Sequence, residues 1–278
     1  MTPELLKYIQ TGYKKVEGWL SPIAINVITE LAAIQQKMEI TGPVCEIGVH
    51  HGKLFILIHF LTNQFEKSVA WDLFDRQAEN LDHSGCGNQS IFKNNLRKNQ
   101  CDLNRIKVIT ENSMNLTAEI IEQECEGKPR IFSIDGGHTA EITYYDLSQA
   151  SQALKPGGLI IIDDFFNEAW PGVSEGVCRY LMQAEQSLFP VVIAGNKYIF
   201  TNDEAMAKTY LKGLSINRPG YITKMSQSFG KEVLVIMPPN SLKSYIKQTM
   251  IWKNLRKMPF KSWIKSAIKT NKAIKINS

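Results

Sequence analysis

The sequence has few cysteines, and none of its five cysteines forms a Cys-x-x-Cys pair. Zinc sites and redox dithiols favour that spacing, and disulfide frameworks favour an even number, so we expect reduced thiols in a cytoplasmic protein. Long hydrophobic runs are also absent, since no stretch approaches the roughly 20 apolar residues of a membrane span. Residues 1–15 alternate polar and apolar side chains, so we expect no secretory leader.

Acidic residues are missing from residues 241–278, which contain ten Lys or Arg and no Asp or Glu. Residues 1–240 therefore carry 22 basic and 27 acidic side chains, although the whole chain has a net charge of +5. Lysines recur every fourth residue over 257–269 beside an apolar stripe, which predicts a basic amphipathic helix. Peripheral contact with an anionic membrane surface and packing on a protein surface both remain open for this tail. No recognition module accompanies the charge, so nucleic acid is not an expected partner.

Short apolar strands alternate with amphipathic helices through the middle of the chain. We predict strands at 44–47, 68–73, 106–110, 130–134 and 159–162, and crossover helices at 91–99, 115–125 and 140–154. This alternation indicates a parallel sheet with helices on both faces. The apolar segments 189–194 and 198–201 flank Gly195-Asn196-Lys197, which predicts a closing hairpin. The expected fold is a Rossmann-like doubly wound α/β sheet, mostly parallel, with a C-terminal antiparallel hairpin strand.

The same pattern divides the chain into four segments. Residues 1–42 form an N-terminal helical cap, in which Ser21-Pro22 is a helix start. Residues 43–202 form the sheet domain. Residues 203–240 are an extension with one more strand pair, and residues 241–278 are the basic tail.

The turn after the first strand reads Glu46-x-Gly48-x-x-x-Gly52 and leads into an apolar helix. A strand, a glycine turn and a helix start bring backbone N–H groups to one spot, where nucleotide-type ligands bind. The third glycine of the dinucleotide fingerprint is missing, which disfavours an NAD-linked oxidoreductase without excluding it. Asp72 lies 26 residues after Glu46 at a strand end, where an acid accepts hydrogen bonds from ribose hydroxyls. Asp75 is the reserve candidate for that position.

Further acids follow the next strands of the predicted sheet. Asp135-Gly-Gly-His138 follows the fourth strand, and Asp163-Asp164 follows the fifth. Carboxyl ends of parallel strands meet at one edge, so these acids crowd like charges together, which is costly without a cation or a proton. Oxygen ligands suit Mg²⁺, Mn²⁺ or Ca²⁺.

These motifs resemble those of class I S-adenosylmethionine (SAM) dependent methyltransferases. The resemblance covers residues 42–202 and includes Lys-Pro-Gly-Gly before the fifth strand. Asp-Gly-x-His and the paired acids resemble most the macrocin and rhamnosyl O-methyltransferase group, which is related to cephalosporin hydroxylase-like proteins. By position, the resemblance implies SAM binding by Glu46, Gly48, Gly52, Asp72, Ser113 and Asp135. It also implies Mg²⁺ (or Mn²⁺) binding by Asp135, Asp163 and Asp164, and catalysis by Asp135 and His138, with His138 as the base. The first acid after the fifth strand is often Glu in that group, and the shorter Asp163 departs from this pattern.

The expected function is therefore SAM-dependent, metal-dependent O-methylation of a small hydroxylated acceptor such as a sugar or a glycan precursor. A non-catalytic SAM-fold protein that acts through its basic tail is a further alternative, and a homo-oligomer is compatible with the sequence. His83, in a glycine-rich loop, is a second candidate base. His50 and His51 are weaker candidates, and Trp170 is a candidate for stacking on a sugar ring.

Overall fold

The computed structural model describes residues 1–183 and 188–239. In these residues the strands are β1 (Val44–Ile47), β2 (Ser68–Asp72), β3 (Ile106–Thr110), β4 (Ile131–Ile134), β5 (Leu159–Ile162), β6 (Phe189–Ala194), β7 (Lys197–Thr201), β8 (Ile222–Ser228) and β9 (Lys231–Met237). The α-helices are α1 (Pro3–Gln10), α2 (Pro22–Lys37), α3 (Lys53–Phe60), α4 (Gln89–Lys98), α5 (Ala118–Cys125), α6 (Ala140–Ala153), α7 (Pro171–Gln183) and α8 (Glu204–Gly213). The predicted basic tail lies outside the described residues.

The described strands form one sheet in the order β3-β2-β1-β4-β5-β7-β6-β9-β8. Strands β1 to β5 run parallel to one another, and β7 runs antiparallel to both β5 and β6. The order reverses at β1, which is the switch point where open α/β sheets bind ligands. The prediction of a mostly parallel sheet closed by an antiparallel hairpin is confirmed.

Local sequence signals place most helix ends. Ser21 caps α2, because its Oγ accepts a hydrogen bond from Ala24 N at 3.3 Å and a proline follows at the first helical position. The helix predicted from residue 115 begins later, at α5, because the Thr117 side chain accepts from Ile120 N and acts as the cap. Residues Ser113–Asn115 form a short 3-10 turn instead, at the carboxyl edge of the sheet.

Alternation along the buried strands sorts side chains onto two covered faces. Cys45 and Ile47 of β1, with Trp71 and Phe132 of the neighbouring strands, belong to the apolar core formed with α5, α6 and α7. The intervening residues of β1, including Glu46, point to the opposite face, on which α3 packs. All four residues of β1 are buried, which is typical of a parallel strand between two helical layers.

The strand register aligns the residues that follow the strands. Ile47 pairs with Trp71 of β2 and with Ile134 of β4, and Ile134 pairs with Ile162 of β5. The next residues along these strands therefore form a row at the carboxyl edge; they are Asp72, Gly48, Asp135 and Asp163. The antiparallel pairing of Ile162 with Tyr198 then sets Lys197 of β7 beside Asp163.

The chain divides into two compact units. Of the described residues, the first contains Met1–Leu214 and Met225–Val235, and the second contains Ser215–Lys224 and residues 236–239. Strands β8 and β9 provide the strand pair predicted for the extension. Among the described helices, none has the length and apolar character needed to cross a membrane.

Candidate active site

A cavity of about 870 Å³ opens at the carboxyl edge of the sheet. The loops that follow β1 to β5 line it, together with residues 18–21 of the N-terminal segment. That segment is attached to the first turn of α3, since Lys53 Nζ donates to Gly18 O at 2.7 Å and Tyr8 Oη donates to Lys53 O at 2.6 Å. The cavity is therefore bounded by the sheet edge on one side and by the N-terminal cap on another.

The turn after β1 depends on Gly48. Its φ of +79° lies in the left-handed region, and a Cβ at this position would overlap the carbonyl oxygen of Asp135. Gly48 N also donates to Trp71 O at 2.8 Å, which holds the turn against β2. Gly52 caps α3 in a left-handed conformation and packs against the Phe92 ring. Both glycines thus allow the backbone of the turn to pack closely, Gly48 against Asp135 and Gly52 against Phe92.

Asp72 lies on the cavity wall at the end of β2. Its Oδ2 accepts from His50 N at 2.7 Å and its Oδ1 accepts from Phe74 N at 2.5 Å. Burial raises the pKa of Asp72, although these N–H groups oppose the shift. Each carboxylate oxygen retains a lone pair for a ligand hydroxyl. Ser113 also lines the cavity, whereas the reserve candidate Asp75 bonds to Asn88 Nδ2 at 2.7 Å.

Glu46 lies beneath the turn, with 2% of its surface exposed. Its Oε1 accepts from Ser133 Oγ at 3.3 Å, while its Oε2 has no hydrogen-bond partner among the described residues. Burial raises the pKa of Glu46 to about 8, despite the nearby Lys197 ammonium and the Ser133 hydroxyl. Glu46 is not among the residues that line the cavity, so a direct contact with a ligand does not follow from its position.

Three ionisable side chains meet on the other half of the cavity. His138 Nε2 lies 3.6 Å from Asp164 Oδ2 and 3.9 Å from Asp135 Oδ1. One donor atom from each of the three lies within 4.8 Å of the others, which is the spacing of a group that can hold a metal ion. Asp135, His138 and Asp164, all named by the sequence, are thus neighbours in the fold.

The electrostatics of these groups follow from their surroundings. Desolvation and the neighbouring Asp163 carboxylate raise the pKa of Asp135 well above its ordinary value. Burial by itself would raise the pKa of Asp164. Hydrogen bonds to His138 and Asn167 outweigh that effect, so the pKa of Asp164 lies below its ordinary value. Burial lowers the pKa of His138, but hydrogen bonds to Asp164 and Asp82 outweigh it and raise the pKa above its ordinary value.

Asp163 differs from the expectation of a direct metal ligand. Its side chain is 4% exposed and its carboxylate is bonded to Lys197 Nζ and to Asn196 Nδ2. Asp163 Oδ1 also accepts from Asp164 N at 2.8 Å. The Lys197 side chain is itself buried, because the β5–β7 pairing places it directly beside Asp163. Asp163 therefore neutralises a buried cation, and its neighbour Asp164 turns towards His138.

The loop between β2 and α4 reaches His138 with residues that the sequence did not single out. Asp82 Oδ2 lies 2.9 Å from His138 Nδ1 and accepts from His138 N at 2.5 Å. Ser84 Oγ lies 3.0 Å from the same Nδ1. The glycine-rich composition of the loop was the available signal, but it pointed to His83, which has no described contact with this group. Trp170 stacks on the His138 ring, with centroids 4.3 Å apart and planes 23° apart.

The paired histidines of the turn have separate surroundings. His50 lines the cavity, and burial and the adjacent His51 lower the pKa of His50. His51 is 4% exposed, with its Nδ1 3.2 Å from Glu17 Oε2. Neither belongs to the group of acids around His138.

One family model matches part of the sheet domain. Residues 45–165 match a family model described as a methyltransferase domain. The search of curated proteins gives no match.

Among solved structures, the O-methyltransferase NovP is 14% identical, with a TM-score of 0.52 over 64% of this chain and 79% of NovP. CalS11, a TDP-rhamnose 3'-O-methyltransferase, is 15% identical, with a TM-score of 0.48 over 72% of this chain and 95% of CalS11. MycE, in complex with Mg, SAH and mycinamycin VI, is 18% identical, with a TM-score of 0.49 over 73% of this chain and 56% of MycE. At 14% identity, the likeness to NovP concerns the fold alone.

Proposed function

We propose that this chain is a SAM-dependent methyltransferase that methylates a hydroxyl group of a small acceptor with the help of a divalent metal ion; the match of residues 45–165 to a methyltransferase-domain model supports this proposal. The observation that carries the proposal is the position of His138 Nε2 beside Asp135 and Asp164, on the wall of the cofactor-sized cavity. A base next to two acids is suited to a hydroxyl nucleophile, which must lose a proton during methyl transfer.

SAM occupies the half of the cavity that follows β1 to β3. The Gly48–Gly52 turn faces the amino-acid part of the cofactor with backbone N–H groups and the start of α3. Asp72 accepts hydrogen bonds from the ribose hydroxyls, and Ser113 lies at the adenine end. Glu46 supports the turn and does not contact the cofactor, since its side chain is buried and does not line the cavity.

Asp135 and Asp164 would hold a divalent ion, and Asp163, bound to Lys197 and Asn196, would support them. The site fits a cation, because desolvation and the Asp163 charge already disfavour the ionised form of Asp135. Carboxylate oxygens are the ligands that Mg²⁺ and Mn²⁺ prefer. Such an ion, when bound, lowers the pKa of a coordinated hydroxyl group.

His138 is the general base for the transfer. The acceptor oxygen attacks the methyl carbon as the methyl–sulfur bond breaks, and the hydroxyl proton passes to His138 Nε2. S-adenosylhomocysteine (SAH) leaves with the sulfur lone pair. The remaining task of the protein is to align oxygen, methyl and sulfur, to which the rigid sheet edge contributes.

The acceptor class is a small hydroxylated compound, with a sugar or a glycan precursor as the preferred case. This preference rests on the resemblance of Asp-Gly-x-His and the paired acids to the sugar O-methyltransferase group. Trp170 supports the His138 ring with one face. It therefore forms a wall of the acceptor half of the cavity.

The test uses His138→Ala, with SAH binding measured by calorimetry and methyl transfer measured by mass spectrometry. The assay offers nucleotide sugars, free sugars and catechol, with SAM and Mg²⁺. We expect kcat to fall by about 10²- to 10⁴-fold in His138→Ala, the range for loss of a general base, with the dissociation constant for SAH changed less than about twofold.

The surface variant Glu122→Gln is the matched control, since its carboxylate lies far from the cavity wall in an exposed pair with Lys128. Full activity of His138→Ala would exclude His138 as the base. Unchanged turnover after removal of divalent ions would exclude the metal. Turnover with NAD in place of SAM would instead support the oxidoreductase alternative.

A further inference from the structure

The carboxylate of Asp82, in the β2–α4 loop, contacts the imidazole ring of His138 and does not line the cavity. One of its oxygens, Oδ2, lies 2.9 Å from His138 Nδ1 and also accepts a hydrogen bond from the backbone N–H of His138 at 2.5 Å. The other, Oδ1, accepts from Ser84 N at 2.8 Å. The Asp82 side chain is only 9% exposed and that of His138 only 11%. This pairing is therefore largely shielded from water.

The bonding of Asp82 determines which ring nitrogen of His138 carries the proton. Burial raises the pKa of Asp82, but hydrogen bonds from Ser84 and from the His138 backbone lower it to about 2, so the carboxylate is ionised. An ionised carboxylate only accepts hydrogen bonds. His138 Nδ1 must then be the donor, and in the neutral ring the lone pair lies on Nε2.

The other ring nitrogen, Nε2, faces the two acids on the cavity wall. His138 Nε2 is directed at Asp164 and Asp135, whereas Nδ1 is directed at Asp82 and Ser84. Trp170 covers the ring from one face and so restricts its rotation. Within residues 1–183 and 188–239, the side chains with a described contact to the His138 ring are Asp82, Ser84, Asp135, Asp164 and Trp170.

We propose that Asp82 is the positioning residue of the catalytic base: it fixes the Nδ1–H tautomer and the ring orientation of His138, so that Nε2 can accept the proton of the acceptor hydroxyl. The inference rests on the proposed function, in which His138 is that base. Asp82 does not line the cavity, and it acts through His138 alone. The β2–α4 loop, which lies outside the row of strand-end acids, thereby supplies the residue that orients the base.

The experiment compares Asp82→Ala with Asp82→Asn. We expect Asp82→Ala to lower kcat by about 10- to 100-fold, the usual cost of losing a partner that orients a functional histidine. The KM for SAM should stay within about twofold. Asn retains one oxygen that can accept from Nδ1 but not the charge, so Asp82→Asn should recover part of the lost activity.

A double-mutant cycle and NMR separate positioning from general damage. In the His138→Ala background, Asp82→Ala should cause no further loss of kcat, because it acts through the missing ring. The ¹⁵N chemical shifts of the His138 ring should change from one Nδ1–H tautomer to a mixture in Asp82→Ala. Asp102→Ala is the matched control, because Asp102 Oδ1 likewise accepts from a backbone N–H two residues on, that of Asn104, but Asp102 has no described hydrogen bond to histidine.

Equal losses of kcat in the wild-type and His138→Ala backgrounds would overturn the inference, as would an unchanged tautomer in Asp82→Ala. If Asp82→Ala does not fold, Asp82→Asn is judged by the same two measurements. Full activity of His138→Ala would instead overturn the proposed base itself, while the NMR result for the His138–Asp82 pair would still stand. The two failures are therefore distinguishable.

Discussion

Along the carboxyl edge of the sheet, the half after β1 and β2 and the half after β4 and β5 both present acids, but different partners hold them. On the first half, the Asp72 carboxylate accepts the backbone N–H groups of His50 and Phe74. On the second half, side chains hold one another, as Lys197 holds Asp163 and Asp82 holds His138.

This difference matches the needs of the two ligands. A cofactor of constant shape can be received by a turn of fixed backbone geometry. A reacting hydroxyl group needs charged groups whose protonation can change during the reaction. The first half should therefore be sensitive to added side-chain volume, and the second half to the loss of single charges.

The largest expected effect is on the second half, for Lys197→Met. The change removes the buried ammonium and leaves the Asp163 carboxylate without its cation, which typically costs about 3–5 kcal/mol of the free energy of unfolding. Urea denaturation measures this loss. Lys208→Met is the control, because its pair with Glu204 is exposed and should contribute less than about 1 kcal/mol. A loss below about 1 kcal/mol in Lys197→Met would show that the pair does not hold this half together.

A smaller but still large effect is expected on the first half, for Gly48→Ala. The new Cβ would overlap Asp135 O, a backbone atom that cannot turn aside, so we expect a loss of about 3 kcal/mol and weaker SAH binding. Gly230→Ala is matched in conformation, with φ +72° against +79°, and a Cβ there has nothing within 4 Å. It should lose only the cost of the left-handed backbone, about 1–2 kcal/mol. Equal losses would mean that conformation, and not the approach of Asp135, explains the glycine.

The smallest effect concerns Glu46, which belongs to β1 in the first half, although, beyond the effect of burial, Lys197 and Asp163 of the second half influence its pKa. Its pKa in the folded chain is about 8, against an ordinary 4.5, so the folded state retains a proton that the unfolded state releases. The wild type therefore loses stability as the pH rises from about 4.5 to 8. A glutamine side chain cannot titrate, so the Glu46→Gln variant does not have this pH-dependent loss. The stability of the variant relative to the wild type should therefore rise by about 1 kcal/mol or more between pH 5 and pH 9. Urea unfolding of both proteins without cofactor at pH 5 and at pH 9 measures this change. A difference in the free energy of unfolding that is the same at both pH values would contradict a buried, protonated Glu46.

Much of the fold was predictable because local patterns encode it. The bounds of β1, β3 and β5 agree with the apolar runs; β1 and β5 are buried along their whole length, so few polar residues blur their ends. The start of α5 was not predicted, because Asn115 and Thr117 are both plausible caps and only packing selects one.

For the candidate site, the sequence indicated Asp135, His138 and Asp164 because strand-end positions converge in any parallel sheet. Asp163 and Asp164 are identical in type and adjacent in sequence, and only the departure of Asp163 from the Glu that is frequent in the resembling group separated them. The sequence also directed attention to His83, while the residues that contact His138 are its neighbours Asp82 and Ser84. Which side of an irregular loop faces inward depends on backbone turns that composition does not specify.

The sequence by itself determined the alternation of strands and helices, the glycine turn and the set of acids at the strand ends, because each follows from local pattern and from the geometry of a parallel sheet. Only the tertiary structure decided how these acids are used. The antiparallel pairing of β7 with β5 places Lys197 against Asp163 and leaves Asp164 to His138. A loop that begins more than 50 residues before His138 supplies its second partner, Asp82. Such pairings join residues distant in sequence, and their energies depend on burial that exists only after the chain has folded.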